Sequence, residues 1–339
     1  MPPVARGMKV GVLGGGAWGT VLASLASARG HDVALWEFDA RDAAALARDR
    51  ATARTVPGFR LPDAVAVAND VAAVTRGREL VVVVVPSDTV RATLTAARAA
   101  LEPGAVIVCA SKGLEPERRL TMAGVIADVA PGARVALLSG PSFAQEIAAG
   151  LPAALVTAST DAGANETVVD ALGGERFRLY TSDDVTGVAI GGALKNVIAI
   201  AVGCSDGFGF GLNARAALMT RGLAEMSRLA VKLGAHPLTL AGLAGFGDLV
   251  LTCTGELSRN RQVGLALARG EALPQILASL GHVAEGIGTS RTARALSREL
   301  GVELPITNAV ASVLHEGQTA RAAVTALLQR DVGSERGGA

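Results

Sequence analysis

The feature that most constrains this chain is a glycine-rich turn between two apolar segments near its beginning. Residues 8–13, MKVGVL, are short, apolar and rich in valine, which is typical of a buried parallel strand. The spacing G-x-G-x-x-G follows at once, formed by Gly14, Gly16 and Gly19. A helical pattern begins after the last glycine, and a second apolar segment, residues 33–36, ends at Glu37. Strand, glycines, helix, strand and acid in this order are typical of a dinucleotide-binding site.

Each part of this pattern has a physical reason. Gly14 permits a tight turn, Gly16 lets the backbone approach a pyrophosphate, and Gly19 lets the helix pack closely on the strand. The start of the helix offers free N–H groups and a partial positive charge to phosphates. Glu37 stands where an acidic side chain accepts hydrogen bonds from the adenosine ribose. A glycine-rich turn without a ligand is the alternative, but the complete context favours a dinucleotide.

The rest of the first half alternates strand-like and helix-like segments. Short apolar runs predict strands at residues 65–68, 80–85, 105–110, 134–138, 153–158 and 177–181. This alternation is typical of an α/β fold with a Rossmann-type doubly wound parallel sheet, whose ligands bind beyond the carboxyl ends of the strands. The residues that follow predicted strand ends include Pro86, Ser87, Lys112, Gly140 and Ser142.

After Asp184 the pattern changes from strands to helices. Residues 186–202 predict an apolar helix, residues 203–211 a glycine-rich loop, and Asn213 the cap of a helix that runs to about residue 233. Further helices are predicted over residues 238–244, 258–268, 289–300, 306–314 and 319–329. We therefore expect a dinucleotide-binding domain over residues 1–186 and an all-helical substrate-binding domain over residues 187–339.

The balance of charge excludes several classes of partner. The formal net charge is +1, so nothing indicates binding to nucleic acid or to an anionic membrane. Residues 187–203 are nearly long enough and apolar enough to span a bilayer, but Lys195 lies at their centre. A lysine there would cost about 2.5 kcal/mol or more. We expect a buried helix and no membrane insertion.

Cysteine and histidine usage indicates a reduced protein without a metal. The 3 cysteines are scattered and form no CxxC pair, and the 4 histidines are far apart with no HExxH motif. Residues 1–7, MPPVARG, lack the apolar core of a signal peptide. No GxSxG motif follows a predicted strand, which argues against hydrolase chemistry. We expect a cytoplasmic protein that needs no metal.

Lys195 is the most informative residue of the second half. Its neighbours in the segment GGALKNVIAIAVG are apolar, and burial moves the pKa of a lysine towards neutrality, which suits a general acid or base. The alternative is a lysine whose amine reaches the surface of its helix. Asn196 beside it could bind substrate or satisfy a backbone group. Asp248 could pair with Lys195 and orient it, or simply cap a helix.

A second basic segment could bind a phosphate group. Ser258 is placed to cap a helix whose first turn carries Arg259 and Asn260. A helix N-terminus together with an arginine side chain is a good phosphate site. A solvated basic helix start explains the same pattern equally well.

Several motifs, in order over nearly the whole chain, resemble the NAD(P)-dependent glycerol-3-phosphate dehydrogenases. The matching segments are GVLGGGAWGT, ASKGLE, SGPSFAQEIAAGLP, GGALKNVIAIAVG, GFGLNARAALMTRGLAEMSRL, GFGDLVLTCTGELSRNR and VAEG. The resemblance implies an enzyme that interconverts dihydroxyacetone phosphate and sn-glycerol 3-phosphate, with NAD(H) or NADP(H), for phospholipid synthesis. A homodimer is also expected. The alternatives are a dehydrogenase of another small hydroxy acid and a non-enzymatic sensor of NAD(H).

The same resemblance assigns roles to individual residues. Lys195 would transfer the proton, with Lys112 and Asp248 beside it as the other catalytic residues. The residues expected to contact substrate are Lys112, Gly140, Ser142, Lys195, Asp248, Ser258, Arg259 and Asn260. Those expected to contact cofactor are Gly14, Gly16, Ala17, Trp18, Gly19, Glu37, Phe38, Lys112, Ala144, Arg259, Val283 and Glu285.

The choice of nicotinamide cofactor depends on the end of the second predicted strand. Members from bacteria often carry basic residues there, which suit NADP, whereas this chain has Glu37 and Phe38, followed by Asp39. A carboxylate at this point repels the 2′-phosphate of NADP. The nearest following arginine in the sequence is Arg41. We therefore expect both cofactors to be used, with NADH preferred.

Overall fold

The first half of the chain forms one sheet of eight strands. The computed structural model describes residues 7–280 and 283–329, so part of the N-terminal segment MPPVARG lies outside the described residues. The strands are β1 (Lys9–Leu13), β2 (Asp32–Trp36), β3 (Ala66–Ala68), β4 (Leu80–Val83), β5 (Val106–Cys109), β6 (Arg134–Ser139), β7 (Ala153–Ala158) and β8 (Phe177–Ser182). Their order in the sheet is β3-β2-β1-β4-β5-β6-β7-β8. The predicted doubly wound α/β sheet is confirmed.

The sheet departs from parallel pairing at one place, because β7 runs antiparallel to β6. The connection between them holds only one short helix, α6 (Ala144–Ala148). A helix of this size rises about 7 Å, whereas a strand of six residues spans about 20 Å. The chain therefore does not return to the other end of the sheet, and β7 starts near the edge where β6 ends.

Helices cover both faces of the sheet and then form the second half of the chain. Those of the first half, besides α6, are α1 (Ala17–Ala28), α2 (Ala40–Asp49), α3 (Val71–Thr75), α4 (Val90–Ala97), α5 (Met122–Val129) and α7 (Ala162–Leu172). Those of the second half are α8 (Val185–Gly207), α9 (Gly211–Lys232), α10 (Asp248–Thr254), α11 (Arg259–Ala268), α12 (Leu273–Leu280), α13 (Glu285–Leu300), α14 (Pro305–His315) and α15 (Ala320–Leu328). Adjacent β1 and β4 place a ligand crevice beyond their carboxyl ends.

The central helix of the second half is α8, and it is covered by protein. It is long and apolar enough to cross a membrane, but 83% of its most apolar 18-residue window is buried. Helices α9, α10, α11 and α13 pack around it. Leu194 and Ile198 of this helix lie in the core of the second half, whereas Val188 near its start lies in the core that covers the sheet. The predicted buried helix is confirmed.

The predicted loop over residues 203–211 is too long, because α8 continues to Gly207 and α9 begins at Gly211, which leaves only residues 208–210 between them. The glycines serve close helix packing instead. A Cβ atom on Gly203 would lie 2.2 Å from the carbonyl oxygen of Arg261, and one on Gly264 would lie 2.1 Å from that of Ile200. Asn213 lies inside the first turn of α9 and does not cap it.

The helix predicted over residues 238–244 is replaced by two short segments, of which the first is wound more tightly than an α-helix and the second more widely. A 3₁₀ helix covers Pro237–Ala241, and a π-helical turn covers Leu243–Gly247. A Cβ on Gly245 would lie 2.1 Å from the carbonyl oxygen of Leu240, so this close return of the chain requires glycine. The π turn leads directly into α10 and places Asp248 at its first position. Such turns are frequent at functional sites.

Candidate active site

The glycine turn after β1 leaves room for a phosphate group. Gly14 has φ +130°, and a Cβ atom there would lie 3.1 Å from the backbone of Val84. A Cβ on Gly19 would lie 1.8 Å from the carbonyl oxygen of Gly14. Gly16, in contrast, faces open space, and no side chain caps α1, which begins at Ala17. This cradle fits the pyrophosphate of a dinucleotide, which the N–H groups at the start of α1 would hold.

Trp18 presents its backbone rather than its ring to this cradle. Its indole ring packs against Phe177, with the ring centroids 6.3 Å apart. We therefore expect Ala17 and Trp18 to meet a cofactor through main-chain atoms. Ala144 begins α6. Its predicted contact with cofactor stays a prediction.

The acid at the end of β2 is held rigidly beside the glycine turn. Glu37 is 3% exposed, and its Oε1 accepts hydrogen bonds from the N–H of Asp39 at 3.2 Å and from Arg54 at 3.1 Å. Its Oε2 lies where a Cβ on Gly15 would come within 2.5 Å. Phe38 points outwards and is 78% exposed. The sequence did not indicate Arg54, which lies 17 residues further along the chain.

The centre of the site is a carboxylate that binds two lysine amines. Asp248 Oδ1 accepts a hydrogen bond from Lys195 Nζ, and Asp248 Oδ2 accepts one from Lys112 Nζ at 2.8 Å. Lys112 follows β5, Lys195 lies on α8, and Asp248 begins α10. The structure therefore brings together the three residues that the sequence singled out as the catalytic set.

Burial changes the acidity of Lys195. The residue is 6% exposed, and burial lowers the pKa of its amine to about 8. The positive charge of Lys112 acts in the same direction, whereas Asp248 opposes both. A pKa near neutrality suits an amine that gives and takes a proton. The alternative of an amine that reaches the helix surface is wrong.

Thr252 completes the surroundings of this amine, and sequence reasoning missed it. Lys195 Nζ donates a hydrogen bond to Thr252 Oγ1 at 2.9 Å, and that hydroxyl donates to the carbonyl oxygen of Asp248 at 2.6 Å. The spacing of four residues on α10 places Asp248 and Thr252 on one face of the helix. That spacing was the available signal.

Lys112 also contacts the turn after β6. Its Nζ donates to the carbonyl oxygen of Gly140 at 2.8 Å and to Ser142 Oγ at 3.1 Å. Gly140 has φ +127°, and a Cβ there would lie 3.0 Å from Leu155 Cα. The amine of Lys112 thus ties the ends of β5 and β6 to α10.

The basic segment at the start of α11 divides into different roles. Ser258 caps the helix by accepting a hydrogen bond from the N–H of Arg261 at 3.3 Å. Arg259 is exposed, although desolvation by nearby protein lowers its pKa and Glu285 opposes this change. Asn260 is 8% exposed, and its amide binds the Asn196 side chain.

A chain of amides connects α11 with α13 and with the sheet. Asn260 Oδ1 accepts from the N–H of Gly286 at 2.9 Å, and its Nδ2 donates to Asn196 Oδ1 at 2.9 Å. Asn196 Nδ2 in turn donates to the carbonyl oxygen of Lys112 at 3.4 Å. These amides position their neighbours, and a substrate contact for Asn260 stays a prediction.

Glu285 joins the start of α13 to the end of the β4 segment. It accepts hydrogen bonds from the N–H of Ser87 at 3.0 Å and from Ser87 Oγ. Burial raises the pKa of Glu285, and these hydrogen bonds oppose that change. Val283 is 45% exposed two residues earlier. Both lie on the helical side of the crevice, where a cofactor was expected to meet them.

Over residues 7–280 and 283–329, no group of three or more histidine, cysteine or acidic side chains is placed to hold a metal ion. The described site instead combines a dinucleotide cradle with a buried amine whose pKa is lowered to about 8. Fold and site together define a nicotinamide-dinucleotide-dependent oxidoreductase.

Comparison with known proteins identifies the family. The N-terminal model of NAD-dependent glycerol-3-phosphate dehydrogenase matches residues 9–165, and its C-terminal model matches residues 184–325. The chain belongs to this family.

Two curated relatives and one solved structure show how far the similarity extends. The chain is 50% identical to glycerol-3-phosphate dehydrogenase [NAD(P)+] of Anaeromyxobacter dehalogenans, over 97% of this chain and 100% of the relative. It is 51% identical to the protein of the same name from Thiobacillus denitrificans, with the same coverage. The crystal structure of glycerol-3-phosphate dehydrogenase from Coxiella burnetii superimposes with a TM-score of 0.92 at 37% identity, covering 96% of this chain and 99% of that one.

Proposed function

We propose that this protein interconverts dihydroxyacetone phosphate and sn-glycerol 3-phosphate with NAD(H) or NADP(H). The observation that most supports this function is the pair of contacts made by Asp248, whose carboxylate binds the amines of Lys112 and Lys195. A protein that only senses a dinucleotide needs no such buried amine. The curated relatives that carry this enzyme name are similar to the chain over their whole length.

In the proposed reaction the bound cofactor exchanges a hydride with C2 of the substrate. Lys195 gives a proton to the C2 oxygen during reduction and takes it back during oxidation. Asp248 acts through Lys195 as a positioning residue, because its carboxylate orients the amine and raises its pKa. Lys112 binds the other oxygen of the Asp248 carboxylate and would contact both substrate and cofactor. Gly140 and Ser142 would fix the substrate beside it.

The phosphate of the substrate would bind at the start of α11. Arg259 is exposed there, and an arginine side chain binds phosphate oxygens with two parallel hydrogen bonds. Ser258 and Asn260 hold this helix start in place through their own hydrogen bonds. This arrangement favours a phosphorylated substrate over another small hydroxy acid.

The wider setting is part of the same proposal. Residues 1–186 would bind the dinucleotide and residues 187–339 the substrate, with the reaction in the cleft between them. The protein would act in the cytoplasm as a homodimer and supply glycerol phosphate for phospholipid synthesis. It would need neither a metal nor a membrane-spanning segment.

The decisive experiment replaces the buried amine. Lys195→Met keeps most of the apolar side chain, and Lys232→Met removes a lysine from the exposed end of α9 as the matched control. General acid–base catalysis contributes about 10²–10⁴-fold, so kcat for reduction of dihydroxyacetone phosphate should fall by that factor in Lys195→Met alone. NADH affinity, measured by fluorescence titration, should change little. A Lys195→Met enzyme within threefold of wild-type kcat contradicts the proposed role.

A substrate comparison tests the remaining alternatives. Wild-type enzyme should reduce dihydroxyacetone phosphate and leave unphosphorylated dihydroxyacetone almost untouched. Equal turnover of both compounds would favour a dehydrogenase of another small hydroxy acid. NADH binding without turnover of either compound would favour a sensor.

A further inference from the structure

An arginine that is distant in the sequence reaches the acid at the end of β2. Arg54 lies in the segment after α2, and its Nη1 is 3.1 Å from Glu37 Oε1 and 3.3 Å from Asp42 Oδ2. The side chain of Arg54 is 44% exposed, whereas that of Glu37 is 4% exposed. The carboxylate is therefore fixed in the protein, and the guanidinium covers it from the solvent side.

The turn that carries Arg54 is itself ordered by hydrogen bonds. The N–H of Thr52 donates to Thr55 Oγ1 at 3.1 Å, and the N–H of Arg54 donates to Thr52 Oγ1 at 3.2 Å. Thr55 is 7% exposed. The backbone of this turn thus holds the arginine near the ribose end of the predicted cofactor site, and only its side chain needs to move.

The two oxygens of the Glu37 carboxylate have different surroundings. Oε1 accepts hydrogen bonds from Arg54 and from the N–H of Asp39. Within the described residues no hydrogen bond reaches Oε2, which faces Gly15 in the glycine turn. Oε2 is therefore the oxygen available to a ribose hydroxyl, and Arg54 does not block it.

The charges at this point explain how a second cofactor could be accepted. Glu37, Asp42 and Arg54 sum to −1, which disfavours an added phosphate. The guanidinium of Arg54, however, carries five N–H donors, and in the described part of the chain only Nη1 makes hydrogen bonds. Its remaining donors could bind a phosphate in the paired geometry that arginine prefers.

We propose that Arg54 is the residue that allows this protein to use NADP(H) as well as NAD(H). With NAD(H), Arg54 stays on Glu37 while Oε2 accepts a hydrogen bond from the 2′-hydroxyl. With NADP(H), the guanidinium turns from the two carboxylates to the 2′-phosphate and pairs with it. The inference rests on the proposed dinucleotide site at Glu37 and adds the residue that determines cofactor selectivity.

Paired substitutions test this role by direct binding. Arg54→Met and Arg41→Met each remove one positive charge near the end of β2, and calorimetry measures the dissociation constants of NADPH and NADH for both. A hydrogen bond between charged groups corresponds to roughly tenfold to hundredfold in affinity. Arg54→Met should weaken NADPH binding by about that factor and change NADH binding less than threefold. Arg41→Met should change either cofactor less than threefold.

A third variant keeps the test independent of any folding defect. Glu37→Gln retains the shape of the side chain and removes the charge that repels the 2′-phosphate, so NADPH should bind more tightly. The gain should be larger while Arg54 is present than in the Glu37→Gln/Arg54→Met double variant, where no guanidinium is released to bind the phosphate. The inference is overturned if Arg54→Met weakens both cofactors equally, weakens neither, or has a smaller effect on NADPH than Arg41→Met. If wild-type protein binds neither cofactor, the proposed dinucleotide site itself fails.

Discussion

Neutralising Asp248 should lower the pKa of the amine that it orients. Asp248→Asn preserves the shape of the side chain but leaves Lys112 and Lys195 without the carboxylate between them. Two unit charges about 4 Å apart interact by about 4 kcal/mol at an effective dielectric constant of about 20. Since one pKa unit corresponds to about 1.4 kcal/mol, about 3 units is the upper bound. Water that enters the variant reduces this, so we expect a fall of about 1 to 2 units from about 8.

The sign of the effect on activity follows from the two directions of the reaction. During reduction Lys195 must be protonated, so kcat falls as pH rises through its pKa. During oxidation it must be neutral, so kcat rises through the same pKa. The substitution should therefore move both limbs of the pH–rate profiles to lower pH, which reduces kcat for reduction at neutral pH. The assay follows NADH oxidation with dihydroxyacetone phosphate and NAD reduction with sn-glycerol 3-phosphate across a pH range that brackets about 8.

The chain offers a matched control for the loss of a buried carboxylate. Asp206 binds Arg215 at 2.9 Å and Arg261 at 2.8 Å, so its ion-pair partners among the described residues are arginines and not the two lysines. Asp206→Asn makes the same chemical change, and either variant should lose about 3–5 kcal/mol of stability through the broken buried pair. Only Asp248→Asn should shift the pH dependence of kcat to lower pH. Coincident limbs in Asp248→Asn and wild type would refute the idea that Asp248 sets the pKa of Lys195.

Two further predictions concern phosphate binding and helix packing. Arg259→Lys should lower kcat/KM for dihydroxyacetone phosphate by roughly tenfold to hundredfold, because lysine lacks the paired donors, and should not affect any residual turnover of dihydroxyacetone; equal losses on both compounds would contradict the phosphate role. Gly264→Ala should lower the free energy of unfolding by about 1–3 kcal/mol or more, since its Cβ would meet the backbone of α8, whereas Gly288→Ala meets no atom within 4 Å and should be harmless. Urea denaturation of both alanine variants measures the difference, and equal stabilities would contradict the packing argument.

Local sequence patterns predicted most of the fold because the preferences for strands, turns and helix caps depend on neighbouring residues. The valine-rich strands, the glycine turn at Gly14 and the cap at Ser258 all follow from neighbouring residues, and the structure contains each of them. The failures came where tertiary packing decided the outcome. Gly203 and Gly207 are typical of a loop in the sequence, yet they continue α8 because α11 approaches too closely for larger side chains.

The site shows the same division between local and distant information. Lys195 could be singled out because a lysine among apolar residues is anomalous on its own helix. Its partnership with Lys112, 83 residues earlier, depends on how α10 meets the sheet, and no spacing in the sequence encodes it. Arg54 is a similar case, because its contact with Glu37 is set by the path of the chain after α2.

The contacts between the two halves of the chain explain how the amine proposed to transfer the proton would be placed accurately against a cofactor held by the sheet. Asp248 binds Lys112 from the sheet and Lys195 from α8, Asn196 donates to the backbone of Lys112, and Glu285 accepts from Ser87. The contacts to Lys112 and Ser87 cross from the helical half to segments that follow strand ends, and the contact between Asp248 and Lys195 extends this connection into α8. Misplacement of reacting groups by about 1 Å can cost about 10²-fold in rate. Loosening any of these contacts should therefore reduce turnover even when cofactor and substrate still bind.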